Sequence, residues 1–93
     1  MTFEEHMDIY VTDHAKQRVS RRLSVDFNEL VPRERMELYE DNFDNSKFYL
    51  NHDTGFLVLK RVAKDRLLII TVVTHGRINN RQSHIIPNTR LFI

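Results

Sequence analysis

The run Arg66-Leu67-Leu68-Ile69-Ile70-Thr71-Val72-Val73-Thr74 constrains this chain more than any other segment. It is almost continuously apolar and rich in β-branched residues, whose stiff side chains suit a pleated surface better than a helix. A bilayer span needs roughly 20 apolar residues, so this run reads instead as a central strand with both faces covered. Two more β-type runs precede it, Lys47-Phe48-Tyr49-Leu50-Asn51 and Phe56-Leu57-Val58-Leu59-Lys60-Arg61-Val62. His52-Asp53-Thr54-Gly55 joins them as a hairpin, and Lys64-Asp65 is a second tight turn. Residues 56–62 are therefore predicted to pair antiparallel with residues 67–74. Beyond Gly76, Arg77-Ile78-Asn79-Asn80-Arg81-Gln82-Ser83 reads as a polar loop. Ile85-Ile86 and Leu91-Phe92-Ile93 would add edge pairing or pack as a tail, with Pro87 forbidding a central ladder position between them.

The N-terminal half has a different period. Thr12 is a good N-cap, Asp13 suits the positive end of a helix dipole, and Val11, Ala15, Val19 and Leu23 recur every four residues as an apolar stripe. These features predict a helix over residues 11–23, broken at Ser24-Val25-Asp26. Pro32 is well placed to open a second, shorter helix over residues 33–39, with Met36, Leu38 and Tyr39 to bury. Asp41-Asn42-Phe43-Asp44-Asn45-Ser46 would end it as a polar loop. The predicted fold is α+β: an N-terminal helix pair packed on a three- to four-stranded antiparallel β-meander. At 93 residues the chain has room for one hydrophobic core. One domain is expected, with an acidic N-terminal arm (1–11), a core (12–75) and a C-terminal extension (76–93).

Charge is segregated although the net is only +1. Lys16, Arg18, Arg21 and Arg22 crowd the first helix, residues 24–45 are mostly acidic, and basic residues dominate again from Lys47 onward. If the helix and the C-terminal half face the same way, they form a surface that attracts phosphate; alternatively, the blocks balance each other across a solvated surface. The acidic start Met1-Thr2-Phe3-Glu4-Glu5 is unlike a signal peptide, and no apolar run is long enough for a membrane span, so a soluble cytoplasmic protein is expected. With no cysteine there is no disulfide and no thiolate zinc site, and His6, His52 and His84 show no metal-ligand spacing. Neither metal nor cofactor is expected.

Two constellations could carry chemistry. On the helix, His14 and Arg18 stand one turn apart, with Arg21 or Arg22 following. Cleaving RNA without metal needs a base for the 2′-OH, an acid for the leaving 5′-oxygen and cations around the phosphorane, which a His–Arg pair can begin to supply. At the end of the strong strand, Thr71, Thr74, His75 and Arg77 gather beside Gly76. A plain surface or capping role for His14, and a strand-ending role for His75, are the simpler alternatives. Phe48, Tyr49 and Phe56 could form a stacking platform, but their strand spacing equally suits a core.

His14-Ala15-x-x-Arg18-x-x-Arg21-Arg22, followed by Gly55-Phe56-Leu57-Val58-Leu59 and Leu67-Leu68-Ile69-Ile70-Thr71-Val72-Val73, resembles small uncharacterised domains of the barnase/EndoU/RelE-like ribonuclease and toxin superfamily. The likeness covers roughly residues 10–75. It implies two helices on a four-stranded antiparallel sheet and metal-independent RNA cleavage. It also implies roles in catalysis for His14 and Arg18 on the helix and for Thr71 or Thr74 on the last core strand. The acidic insert at 26–45 and the extension after His75 depart from that pattern. The resulting expectation is an RNA-cleaving or RNA-binding domain, toxin-like. His14, Arg18, Thr74 and His75 would be catalytic, and Lys16, Arg21, Arg22, Arg77 and Arg81 would hold RNA or another phosphate-bearing ligand. Two alternatives remain. One is a small phage or bacterial regulatory protein that binds a host protein or nucleic acid without catalysis. The other is a subunit that oligomerises through a sheet edge or its apolar tail.

Overall fold

The computed structural model describes residue 3 and residues 5–23, 26–52, 55–74 and 82–93. Its elements run β1 (His6–Val11), α1 (Asp13–Arg22), α2 (Phe27–Leu30), β2 (Glu34–Glu40), β3 (Lys47–His52), β4 (Gly55–Ala63), β5 (Arg66–Val73) and β6 (Ser83–Phe92). Strands take 58% of the described residues and helices 18%, so the fold is mostly β. The expected helix pair on a meander is therefore wrong. The six strands form a closed barrel in the order β1-β5-β4-β3-β2-β6, with β1 parallel to both of its neighbours and every other pairing antiparallel.

Some local expectations hold. Helix α1 starts behind the Thr12 cap and ends at Leu23, burying Ala15 and Val19 against β5 while Val11 and Leu23 pack at the edge of the same cluster. Strands β4 and β5 pair antiparallel across Lys64-Asp65, and β3 pairs antiparallel with β4, with His52 opposite Gly55; Asp53 and Thr54 of the predicted hairpin lie outside the described residues. Strand β5 lies between β4 and β1, but Leu68, Ile70 and Thr71 are only half-buried, so the expectation that both of its faces are covered is not met. Leu67, Ile69 and Val72 point into the barrel, a shift of phase that the irregularity opposite Val58 and Leu59 produces.

Three corrections follow from the barrel. Residues 33–39 are not a helix. Met36 and Leu38 are fully buried at two-residue spacing while Glu37 and Tyr39 face out, and Arg35 has a φ of 55°, outside any right-handed helix. Residues 6–11 of the presumed arm and 83–92 of the presumed extension are strands β1 and β6, whose parallel pairing closes the barrel and brings Met7, Ile9 and Ile86 into the core. Pro87 is tolerated inside β6 because the β1 ladder begins one residue later, at Asn88, and the β2 ladder skips from Ile86 to Asn88 opposite Arg35. Closure also removes the open sheet edge that was one of the two routes in the oligomeric alternative. No helix among the described residues is long and apolar enough to cross a membrane.

Candidate functional site

Helix α1 follows β1 after a single residue, and Thr12 fixes its position. The Thr12 hydroxyl accepts from the Ala15 N–H and donates to the Ile69 carbonyl, both at 3.1 Å, while the Thr12 N–H also donates to Ile69 O at 3.1 Å. The helix start is thereby tied to β5. With Ala15 and Val19 turned toward that strand, the opposite side of the helix faces solvent. His14, Arg21 and Arg22 are exposed there, and Lys16 and Arg18 are half-exposed. Arg18 Nε donates to His14 Nε2 at 3.3 Å, so the two residues joined by i, i+4 spacing do meet. While that bond holds, Nε2 is an acceptor and the neutral ring carries its proton on Nδ1. Lys16 reaches Asp13 at 3.9 Å, an exposed pair that contributes little.

Thr74 stands half-buried just past the end of β5, the strand on which α1 packs, and Thr71 is half-buried within it. His75, Arg77 and Arg81 lie outside the described residues. The structure thus joins His14 with Arg18 and sets Lys16, Arg21 and Arg22 on the same ten-residue helix. Phe48 is fully buried in the barrel, whereas Tyr49 and Phe56 are half-buried and pack edge to face on each other at 5.2 Å.

Two ionisable clusters were not foreseen. Asp8, 9% exposed, accepts from Arg90 at 3.1 and 3.4 Å and contacts His6 Nε2 at 3.0 Å. His6 also lines an open pocket of about 820 Å³ together with Glu5, Lys64 and Asp65. On the β2–β6 pair, His84 Nε2 lies 2.5 Å from Glu40, with the Phe3 and Phe48 rings edge-on to the imidazole. Asp8 and Arg90 are 82 positions apart, and no local spacing could have joined them. Among the described residues, no group of three or more His, Asp or Glu side chains is placed to hold a metal.

The Arg90 hydrogen bond holds the Asp8 carboxyl below the usual carboxylate range, against the opposing effect of burial. The Asp41 carboxyl is lowered by the Phe43 N–H and the Tyr49 hydroxyl, and that of Asp44 by the Ser46 hydroxyl and N–H. Each depressed carboxylate stabilises the fold above the unfolded-state value near pH 4 and loses that contribution as pH falls through its lower folded value. Acid unfolding should therefore begin below about pH 4. Replacing Asp8 with asparagine should flatten that acid limb, as read by circular dichroism across a pH series; an unchanged limb would remove Asp8 from the account.

Taken together, the fold and its exposed groups define a small mixed β-barrel carrying one basic surface helix. The chain matches no protein-family model, curated protein or solved structure at a significant level.

Proposed function

We propose that this domain binds RNA through the exposed basic face of α1 and that His14 with Arg18 is the centre for metal-independent cleavage of the bound strand. One observation carries the reading. Helix α1 spends only Ala15 and Val19 on full burial against the barrel and presents Arg18, Arg21 and Arg22, with Lys16 and His14, to solvent. A rigid helix carrying such a row of cations suits a phosphate backbone, whose condensed counterions are released on binding.

The His14–Arg18 bond suggests how binding and chemistry are linked. A phosphate drawn to Arg18 takes over the guanidinium's hydrogen bonds and frees the Nε2 lone pair, which can then accept the 2′-OH proton. The 2′-oxygen attacks phosphorus, the 5′-oxygen leaves, and the guanidinium opposes the charge that builds on the phosphorane. The acid that protonates the leaving oxygen is assigned, from the sequence, to His75.

The test is a short labelled RNA incubated with the domain at low salt, with and without EDTA. Binding and cleavage are expected to persist in EDTA and binding to fall steeply with salt. His14→Ala should abolish cleavage while leaving affinity within about twofold, a change on the scale of half a kcal/mol. Binding without cleavage in the wild-type protein would leave an RNA-binding domain and remove His14 from catalysis. Absence of RNA binding would favour the reading in which the basic helix docks on a protein partner.

A further inference from the structure

The parallel pairing of β1 with β6 aligns their outward side chains in rows. Asp8 lies in register with Arg90 on one side and Arg66 on the other, and the next row sets Tyr10 beside Phe92 and Leu68. The Tyr10 and Phe92 rings stack at a centroid distance of 4.9 Å with planes 14° apart. Each ring carries a guanidinium, Arg66 at 5.9 Å from Tyr10 and Arg90 at 5.6 Å from Phe92. Phe92 is 41% exposed, and neither ring belongs to the buried cluster that fills the barrel. The pair therefore adds little to the core.

Charge and position together point to an occupant. Two arginines flank the single carboxylate of Asp8, and the Asp65 contact to Arg66 is an exposed one at the 4.0 Å limit, which neutralises little. Tyr10 lies two residues before the Thr12 cap of α1, so the ring pair adjoins the start of the basic helix. We infer that the Tyr10–Phe92 pair is a base-stacking subsite for single-stranded RNA, with the Arg66 and Arg90 cations beside it. This rests on the RNA reading of α1 and extends the path of the bound strand beyond the helix.

Relative magnitudes favour the exchange. An exposed cation–π contact is worth roughly two- to fivefold in an equilibrium constant, whereas stacking a base on an aromatic ring is worth roughly 5- to 150-fold. A base can therefore displace Arg66 from the Tyr10 ring, while Arg90 keeps its hydrogen bonds to Asp8. A duplex cannot use the subsite, because its bases are already stacked on one another.

The experiment compares wild-type protein, Tyr10→Leu with Phe92→Leu, and Arg18→Ala with Arg21→Ala, each titrated with single-stranded and duplex RNA at several salt concentrations. The leucine pair should lower single-strand affinity roughly 5- to 150-fold with an unchanged salt slope and unchanged duplex affinity, because stacking releases no counterions. Wild-type affinity in the leucine pair, beside a weakened arginine pair, overturns the subsite and leaves the α1 reading standing. Equal losses on single strand and duplex also overturn it, since they show a general surface effect. If the wild-type protein binds neither RNA, the α1 reading falls and the subsite with it. Thermal melts establish that each variant is folded. Should the leucine pair melt early, Phe92→Leu alone, at a 41% exposed position, is held to the same criteria.

Discussion

Replacing Gly55 with alanine should destabilise the barrel by about 3 kcal/mol or more, beyond the usual range for an overfilled site. A Cβ built at this position would lie 1.9 Å from the Val73 carbonyl oxygen, 2.8 Å from its carbon and 2.9 Å from Thr74 Cα. All three are backbone atoms and no side chain can swing aside. Relief requires the start of β4 to move away from the end of β5, where Phe56 pairs with Val73. Strand β5 also holds the start of α1 through Ile69, so RNA binding should weaken together with stability. Urea unfolding gives the number; a loss under about 1 kcal/mol would mean that the two strands are not packed as closely as described.

The Arg18→Ala, Arg21→Ala double substitution should weaken RNA binding strongly without unfolding the domain. Both side chains lie on the solvent side of α1, and neither belongs to the apolar cluster. Folding stability should therefore shift by no more than about 0.5 kcal/mol per site. If each exposed phosphate contact contributes about 0.7 to 1.4 kcal/mol, within the range of an ordinary hydrogen bond, removing two should lower RNA affinity about 10- to 100-fold. The salt dependence should become shallower, because each phosphate contact on a single strand contributes roughly 0.7 to the slope of log K against log salt. Fluorescence anisotropy at a series of salt concentrations reads both quantities. A weaker complex with an unchanged slope would mean that the arginines act through something other than phosphate.

Local features were legible in the sequence because they are written in adjacent residues. The Thr12 cap, the Ala15–Val19 stripe and the turn at Lys64-Asp65 each need only a few positions to declare themselves. Strand β2 was misread because Pro32 and the good helix formers after it outweighed the two-residue alternation of Met36 and Leu38. Propensity is a weak guide where pairing with β3 and β6 decides the conformation. The same alternation, Met7 and Ile9 between His6, Asp8 and Tyr10, was present in the supposed acidic arm. Closure itself had no local signal, since it joins Asp8 to Arg90 across nearly the whole chain. For the same reason His14 and Arg18 could be paired from their spacing, whereas the Asp8–Arg90, Glu40–His84 and Tyr10–Phe92 contacts emerged only once the barrel was closed.

The central claim, that α1 is the surface on which RNA lies, is tested most directly by amide chemical-shift mapping during titration with a short single-stranded RNA. The largest shifts should fall on α1, at His14, Arg18, Arg21 and Arg22, and fade as salt is raised. Shifts concentrated on the acidic β2–β3 side at Glu37, Glu40 and Asp41, or no shifts at low salt, would contradict it.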